Sequence, residues 1–254
     1  MDVCVLVKSI PDPSGGIDLG DDFLVRREGD GTLDPGDEFA VEAALQLTEA
    51  AGGEVTVITM GPEGAAAAVR RALSMGAHRA VVVTDDALRG ADALATARVL
   101  AAAVRRGTFD LVLGGVESTD GYTGTVPATV AGLLELPSAT FAKRLEVADG
   151  AARIQRQTED GYDDVECPLP AVVTLTAGAT EPRYPTLKGI MGAKQKPLET
   201  LSLADLGLTP ADVAPTQRVL GVEPAPEKAA GQIVPADDTS AGRIADLLAD
   251  ARVL

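Results

Sequence analysis

The chain predicts an α/β fold: an open, mostly parallel Rossmann-like sheet with helices on both faces, a β-hairpin or meander insertion and an extended C-terminal arm. Three observations carry this expectation. Residues 3–134 alternate short apolar strands with helical segments, the pattern of βαβ crossovers. The opening strand at 3–7 is continuously apolar, as befits a sheet buried on both faces. After Pro137 the alternation gives way to β-rich runs joined by Asp-Gly pairs, which favour hairpin turns.

The elements follow in order. Residues 3–7 form the first strand. Asp37 and Glu38 open a helix to about Ala51, with Val41, Leu45 and Thr48 on one face and Gly52-Gly53 as its stop. A strand at 55–60 precedes Gly61-Pro62-Glu63, which places proline in the first turn of a helix running to about Met75. A third strand at 80–84, a helix at 91–106 and a strand at 111–113 ending in Gly114-Gly115 come next. Residues 123–134 make a fourth helix with Pro127 in its first turn. Runs at 139–147, 152–158 and 164–166 form the meander, turning at Asp149-Gly150 and Asp160-Gly161; 170–175 is one more core strand. Residues 1–197 therefore read as the α/β domain. Residues 198–254, rich in Pro, Ala and acids, read as an arm that packs on a partner subunit. Its closing helix at 240–253 carries Ile244, Leu247 and Leu248 on one face.

Composition narrows the function. The chain holds 38 acidic against 22 basic residues, a net charge of −16, which argues against nucleic acid and anionic membrane surfaces as partners. No apolar run reaches the roughly 18 residues of a membrane span, so no direct membrane insertion is expected. The start carries no basic-then-apolar leader. Cys4 and Cys167 lie far apart in strand-like sequence and read as buried free thiols of a reducing, bacterial cytoplasm. His78 is the only histidine, and no Cys/His/carboxylate set has ligand spacing, so neither a metal site nor a catalytic residue is expected. Neither a Walker phosphate loop nor Gly-x-Gly-x-x-Gly after the first strand occurs. Ser14-Gly15-Gly16-Ile17-Asp18 resembles the SGGxD core of ATP pyrophosphatases. It departs at Leu19, where that family has Ser or Thr, and Lys8–Pro13 separates it from the strand that should deliver it; we read it as a decoy.

Two segments invite ligands. In open parallel sheets ligands bind beyond the carboxyl ends of strands, here at 6–8, 33–37, 60–62 and 114–125. The last offers the hydroxyls of Ser118, Thr119, Thr123 and Thr125 and runs into a helix N-terminus, which suits a phosphate; a capped, glycine-rich turn is the plainer alternative. The second segment, 181–196, gathers Arg183, Lys188, Lys194 and Lys196 around Leu187 and Met191 against a single Glu181. Its two prolines forbid regular helix at its start. We expect a loop with an apolar knob in a positive collar, built to dock on an acidic partner, or else an ordinary solvated loop.

Taken together, several stretches resemble one family, the β subunit of electron transfer flavoprotein. They are Val5-Leu6-Val7-Lys8 with Asp12; Asp34-Pro35-Gly36-Asp37-Glu38-Phe39-Ala40-Val41-Glu42; Gly61-Pro62; the run 72–77; the block 115–137; 156–161 through 170–174; and 181–196, close to the family's partner-recognition loop. The resemblance covers residues 2–200. It implies a heterodimer in which the α subunit holds the redox-active FAD and this chain holds AMP. Electrons would pass from acyl-CoA and other dehydrogenases, as in fatty acid β-oxidation, to that flavin and on to the electron transfer flavoprotein–quinone oxidoreductase. Carried over by position, the AMP pocket would comprise Leu6, Asp34, Pro35, Met60, Val116, Asp120, Gly121, Thr123, Gly124 and Thr125. The docking segment would comprise Arg183, Tyr184, Leu187, Lys188, Ile190, Met191 and Lys194. The chain departs from the family at Asp163, where Glu or Gln is usual, at Asp34, which replaces Asn, and at Pro13 and Gly36, where aromatics near the flavin are common. The run 118–121 also lacks a Gln seen in many members, and some members place a second FAD in the AMP cleft. The rival classes are an ATP-using enzyme and a nucleotide-sensing module on the same scaffold.

Overall fold

A computed structural model describes residues 1–27, 29, 31–223, 225, 226, 231 and 233–253. Glu28, Asp30, Pro224, 227–230, Gln232 and Leu254 lie outside the described residues, most of them within the expected arm. The strands are β1 (Val3–Leu6), β2 (Ser9–Ile10), β3 (Thr32–Leu33), β4 (Val55–Met60), β5 (Arg79–Val83), β6 (Leu111–Gly115), β7 (Ser138–Ala148), β8 (Ala151–Gln157), β9 (Tyr162–Pro168), β10 (Ala171–Leu175) and β11 (Leu198–Leu201). The helices are α1 (Pro35–Ala51), α2 (Ala65–Met75), α3 (Ala93–Val104), α4 (Val126–Leu134), α5 (Leu187–Ala193) and α6 (Ser240–Asp250).

Nine strands form one sheet in the order β11-β5-β4-β1-β6-β10-β7-β8-β9, and β2 pairs with β3 in a separate antiparallel ribbon. From β11 to β7 every pairing is parallel, and only the β7-β8-β9 meander is antiparallel. The fold expectation therefore holds. The central strand β1 is buried along its whole length because the two faces of the sheet carry separate cores. Val3, Val5 and Val7 join residues of α1 and α2 on one face; Cys4 and Leu6 join residues of α3 and α4 on the other. Cys4 and Cys167 are buried free thiols.

Several element ends differ from the sequence reading, each for a local reason. Helix α1 starts at Pro35, not Asp37, because the Asp34 carboxylate caps it by accepting the Gly36 N–H at 2.8 Å. Helix α2 starts at Ala65, so Pro62 lies in the preceding turn and not within the helix. Helix α4 starts at Val126, three residues later than expected. The Asp149-Gly150 turn has positive φ at both residues, 54° and 78°, as a two-residue hairpin requires.

The largest correction concerns the boundary of the arm. Residues 198–219 are part of the sheet-forming unit: β11 pairs in parallel with β5, and Leu201, Leu203 and Val213 are buried in the α3 face of the core. The chain divides into compact units Met1–Val219 and Leu220–Leu254. Sequence alone missed this because the strand is four residues long and its pattern is masked by Glu199 and Thr200. In the second unit no residue of α6 is buried, and Ile244, Leu247 and Leu248 are all exposed. This division gives a direct check. Leu203→Ala should cost about 3 kcal/mol in urea unfolding, as for other cavity-forming core truncations. Leu220→Ala, at an 84% exposed side chain, should cost under about 0.5 kcal/mol.

Candidate functional site

The chain leaves β1 for β4 and β5 on one side, then returns to β6 and β10 on the other. The carboxyl ends of β1 and β6 thus border the crevice where connections diverge, the place at which open α/β sheets bind ligands. Lys8 follows β1, the 116–125 loop follows β6, and the N-terminus of α1 stands beside both.

Two buried carboxylates in the first turn of α1 hold these pieces together. Asp34 accepts the Gly36 N–H at 2.8 Å through one oxygen; through the other it accepts the Thr119 N–H at 2.7 Å and the Thr119 hydroxyl at 2.9 Å. Asp37 accepts the Lys8 N–H at 2.7 Å and the Gly115 N–H at 3.1 Å. Asp37 therefore ties the ends of β1 and β6 to the positive end of α1. A side chain at Gly115 would overlap this carboxylate, which accounts for glycine at the strand end. Burial, then the neighbouring Asp34 charge, raise the Asp37 pKa to about 7, against the opposing pull of the two N–H donors and Lys8.

A second cluster faces the crevice. The Lys8 ammonium donates to the Ser118 hydroxyl at 3.0 Å and lies 2.7 Å from the Asp120 carboxylate. Arg27 also pairs with Asp120 and donates to the Ser9 carbonyl at 2.9 Å. Burial pushes the Asp120 pKa upward, yet the two cations outweigh it and hold the carboxyl below its ordinary range. Asp120 is thus turned inward onto Lys8 and Arg27, and Asp34 lies beneath the loop. The sequence reading named both as ligand contacts; it placed Lys8 and Asp37 within the ligand-side segments 6–8 and 33–37 without giving either this role, and it did not name Arg27. The spacing Asp34-x-x-Asp37 across a helix start was the available signal.

The rest of the loop is open. Gly121, Thr123, Gly124 and Thr125 are exposed, Val116 is partly buried, and Gly124 has φ +60°. No side chain caps α4, so the N–H groups of its first turn, apart from Pro127, which has none, find no side-chain acceptor at the cap. Pro35 is exposed, Met60 half-buried and Leu6 almost wholly buried. His78 is structural: its Nδ1 accepts the Val55 N–H at 2.9 Å. Ser14 and Gly15 sit in an exposed 3-10 turn capped by Asp12. Among the described residues no group of three or more His, Cys, Asp or Glu side chains could hold a metal ion. None of the described helices is long and apolar enough to cross a membrane.

The 181–196 segment differs from the loop expected. Thr186 accepts the Gly189 N–H at 3.0 Å and opens α5, so Leu187, Ile190 and Met191 fall on one helical face at i, i+3 and i+4. That spacing was readable but was hidden between Gly189 and Gly192. Tyr184, Leu187 and Met191 are 88%, 81% and 74% exposed. The positive collar shrinks, because two of its four cations are spent internally. Arg183 is bound by Glu42 and Glu49, and the Lys196 ammonium by backbone carbonyls at the end of α2. Lys188 and Lys194 are exposed.

Comparison with known proteins agrees with this architecture. Residues 22–206 match the electron transfer flavoprotein domain. The chain is 39% identical to the electron transfer flavoprotein subunit beta of Mycobacterium bovis over 99% of both chains. It is 39% identical to that of Bacillus subtilis over 80% of this chain and 79% of the relative. It is also 36% identical, over 92% of each chain, to the caffeyl-CoA reductase-Etf complex subunit CarD of Acetobacterium woodii. The chain belongs to the electron transfer flavoprotein β-subunit family.

The Asp37 carboxyl sets a pH dependence whose sign is fixed. Its folded-state pKa of about 7 lies above the ~3.9 of an unfolded aspartate, so its contribution is fully present below pH ~4 and is lost as pH rises through about 7. Measured by urea unfolding, the stability of Asp37→Asn relative to the parent should rise between pH 4.5 and 7.5. A constant difference across that range would show that Asp37 does not titrate there.

Proposed function

We propose that this chain is the β half of a heterodimeric electron transfer flavoprotein. It binds AMP in the β1/β6 crevice and presents α5 to dehydrogenases, acyl-CoA dehydrogenases among them. Electrons pass to an FAD held mainly by the α subunit and onward to a quinone oxidoreductase. When bound, that FAD supplies the redox chemistry, and the residues of this chain bind and position. Family membership supports the flavoprotein setting, and the Acetobacterium relative is itself named as a subunit of a caffeyl-CoA reductase-Etf complex. The observation that carries the docking role is α5 itself, a capped helix that turns Leu187, Ile190 and Met191 to solvent on one face.

A nucleoside monophosphate is the ligand class that we assign to the crevice. The uncapped start of α4, with the Thr123 and Thr125 hydroxyls and Gly124 before it, offers backbone donors and a positive helix end to a phosphate. Val116, Gly121, Thr123, Gly124 and Thr125 would hold AMP directly, with Pro35, Met60 and Leu6 as walls. Asp34 and Asp120 would act from beneath by fixing the loop. The acidic, half-apolar α6, with Ile244, Leu247 and Leu248, would pack on the α subunit, which makes Leu220 the start of the arm. The two unpaired buried cysteines suit a reducing cytoplasm.

Two measurements test this reading. Fully burying Leu187 is worth roughly 1.5–3 kcal/mol, so Leu187→Ala should lower kcat/KM for reduction by an acyl-CoA dehydrogenase about 10- to 100-fold. The FAD content of the heterodimer should be unchanged. Unaltered kinetics would remove the docking role. Replacing Thr123 and Thr125 together by Val should release AMP from the purified heterodimer, read by mass spectrometry of the extracted nucleotide, while leaving its yellow FAD. Recovery of a second FAD in place of AMP from the parent protein would overturn the assignment of the crevice.

A further inference from the structure

The exposed helix α5 is held from below by contacts that reach none of its solvent face. At its entrance, the Arg183 guanidinium donates to Glu42 at 2.7 and 3.0 Å and to Glu49 at 2.5 and 3.0 Å, and the Arg183 N–H donates to Glu42 at 3.2 Å. Glu42 is almost wholly buried on α1, so this pairing is desolvated on the carboxylate side. Burial pushes the Glu42 pKa upward, but Arg183 and Gln46 hold the carboxyl below its ordinary range. At its exit, the Lys196 ammonium donates to the carbonyls of Leu73, Gly76 and Ala77 at 2.9, 3.1 and 2.6 Å. These carbonyls lie in the last turn of α2 and just beyond it, where backbone acceptors lack partners and the helix dipole is negative. Between the two ends, α5 lies so close to α2 that a Cβ at Gly189 would overlap the Ser74 carbonyl oxygen. Ala193 is buried in the core alongside.

We propose that Lys196 and Arg183 are positioning residues for docking, with Gly189 as the close-approach point. They fix α5 as a rigid platform, so that its apolar face meets a dehydrogenase without first being ordered. The inference rests on the docking role of α5 proposed above. Its physical content is preorganisation: each contact formed before encounter removes an ordering cost from association. Both cationic heads are turned inward, so their replacement alters the platform while leaving the anchor Leu187 and the exposed Lys188 and Lys194 in place.

The test uses the heterodimer with its FAD, reduced by an acyl-CoA dehydrogenase supplied with butyryl-CoA. Lys196→Met and Gly189→Ala should each raise the KM for the flavoprotein about fivefold. Their kcat, FAD content and reduction by dithionite should stay at parent values, and Lys196→Arg should restore most of the KM. An unchanged KM in both variants, or a fall in kcat alone, overturns the inference. Should Lys196→Met fail to fold, Gly189→Ala decides by the same readout, since its added methyl meets the Ser74 carbonyl where α5 crosses α2 and leaves the Lys196 hydrogen bonds in place. Leu187→Ala in the same series separates the two claims. A KM rise there without one in the other variants sinks only the positioning role; no rise in any of them sinks docking itself.

Discussion

The site depends on two carboxylates buried in the first turn of one helix. Asp34 and Asp37 stand at the positive end of α1 and between them accept hydrogen bonds from Lys8, Gly36, Gly115 and Thr119. Burying an anion is costly unless it is hydrogen-bonded, and removing a partner leaves donors stranded at about 1–3 kcal/mol each. The arrangement is therefore all or nothing. It fixes the ends of β1 and β6 and the loop after β6 in one geometry, and the crevice is the space that geometry leaves. Asp120, locked between Lys8 and Arg27, extends the same logic to the far side of the loop and to the segment that carries Arg27.

The sole histidine serves a strand end, and the Asp34 and Asp37 carboxylates serve backbone N–H groups. Open to solvent are a helix start on α4 without a side-chain cap and an apolar helix face on α5, which under the proposed function would meet a small anion and a protein. They are built on the same principle: a surface left unsatisfied above a substructure whose own polar groups are paired.

Much of this was legible in the sequence. The apolar runs of β1 and β4, the glycine stop of α1 and the Asp-Gly turns are local signals, and local signals fixed the order and kind of most of the elements. The alternation put the ligand side at four strand ends, and only the strand order singles out β1 and β6. What was not legible depended on distant partners. That Arg183 and Lys196 are spent on α1 and α2, and so do not form a docking collar, requires knowing what lies beneath them. The pairing of Asp120 with Lys8 and Arg27 likewise depends on segments distant in the sequence. Strand β11 is four residues with two polar ones, and it is a strand only because β5 offers an unpaired edge. Helix α5 was hidden by its glycines, one of which is there for its approach to Ser74.

The central claim is that the crevice is a nucleotide site shaped by the Asp34 and Asp37 network, and it can be tested away from any electron-transfer assay. The measurement is the AMP content of the heterodimer carrying Asp34→Ala, by mass spectrometry of the extracted nucleotide, beside its FAD absorbance. Freed Thr119 and Gly36 donors should disorder the loop, lowering AMP occupancy about tenfold while FAD stays at the parent level. AMP held at the parent level in that variant would contradict the account.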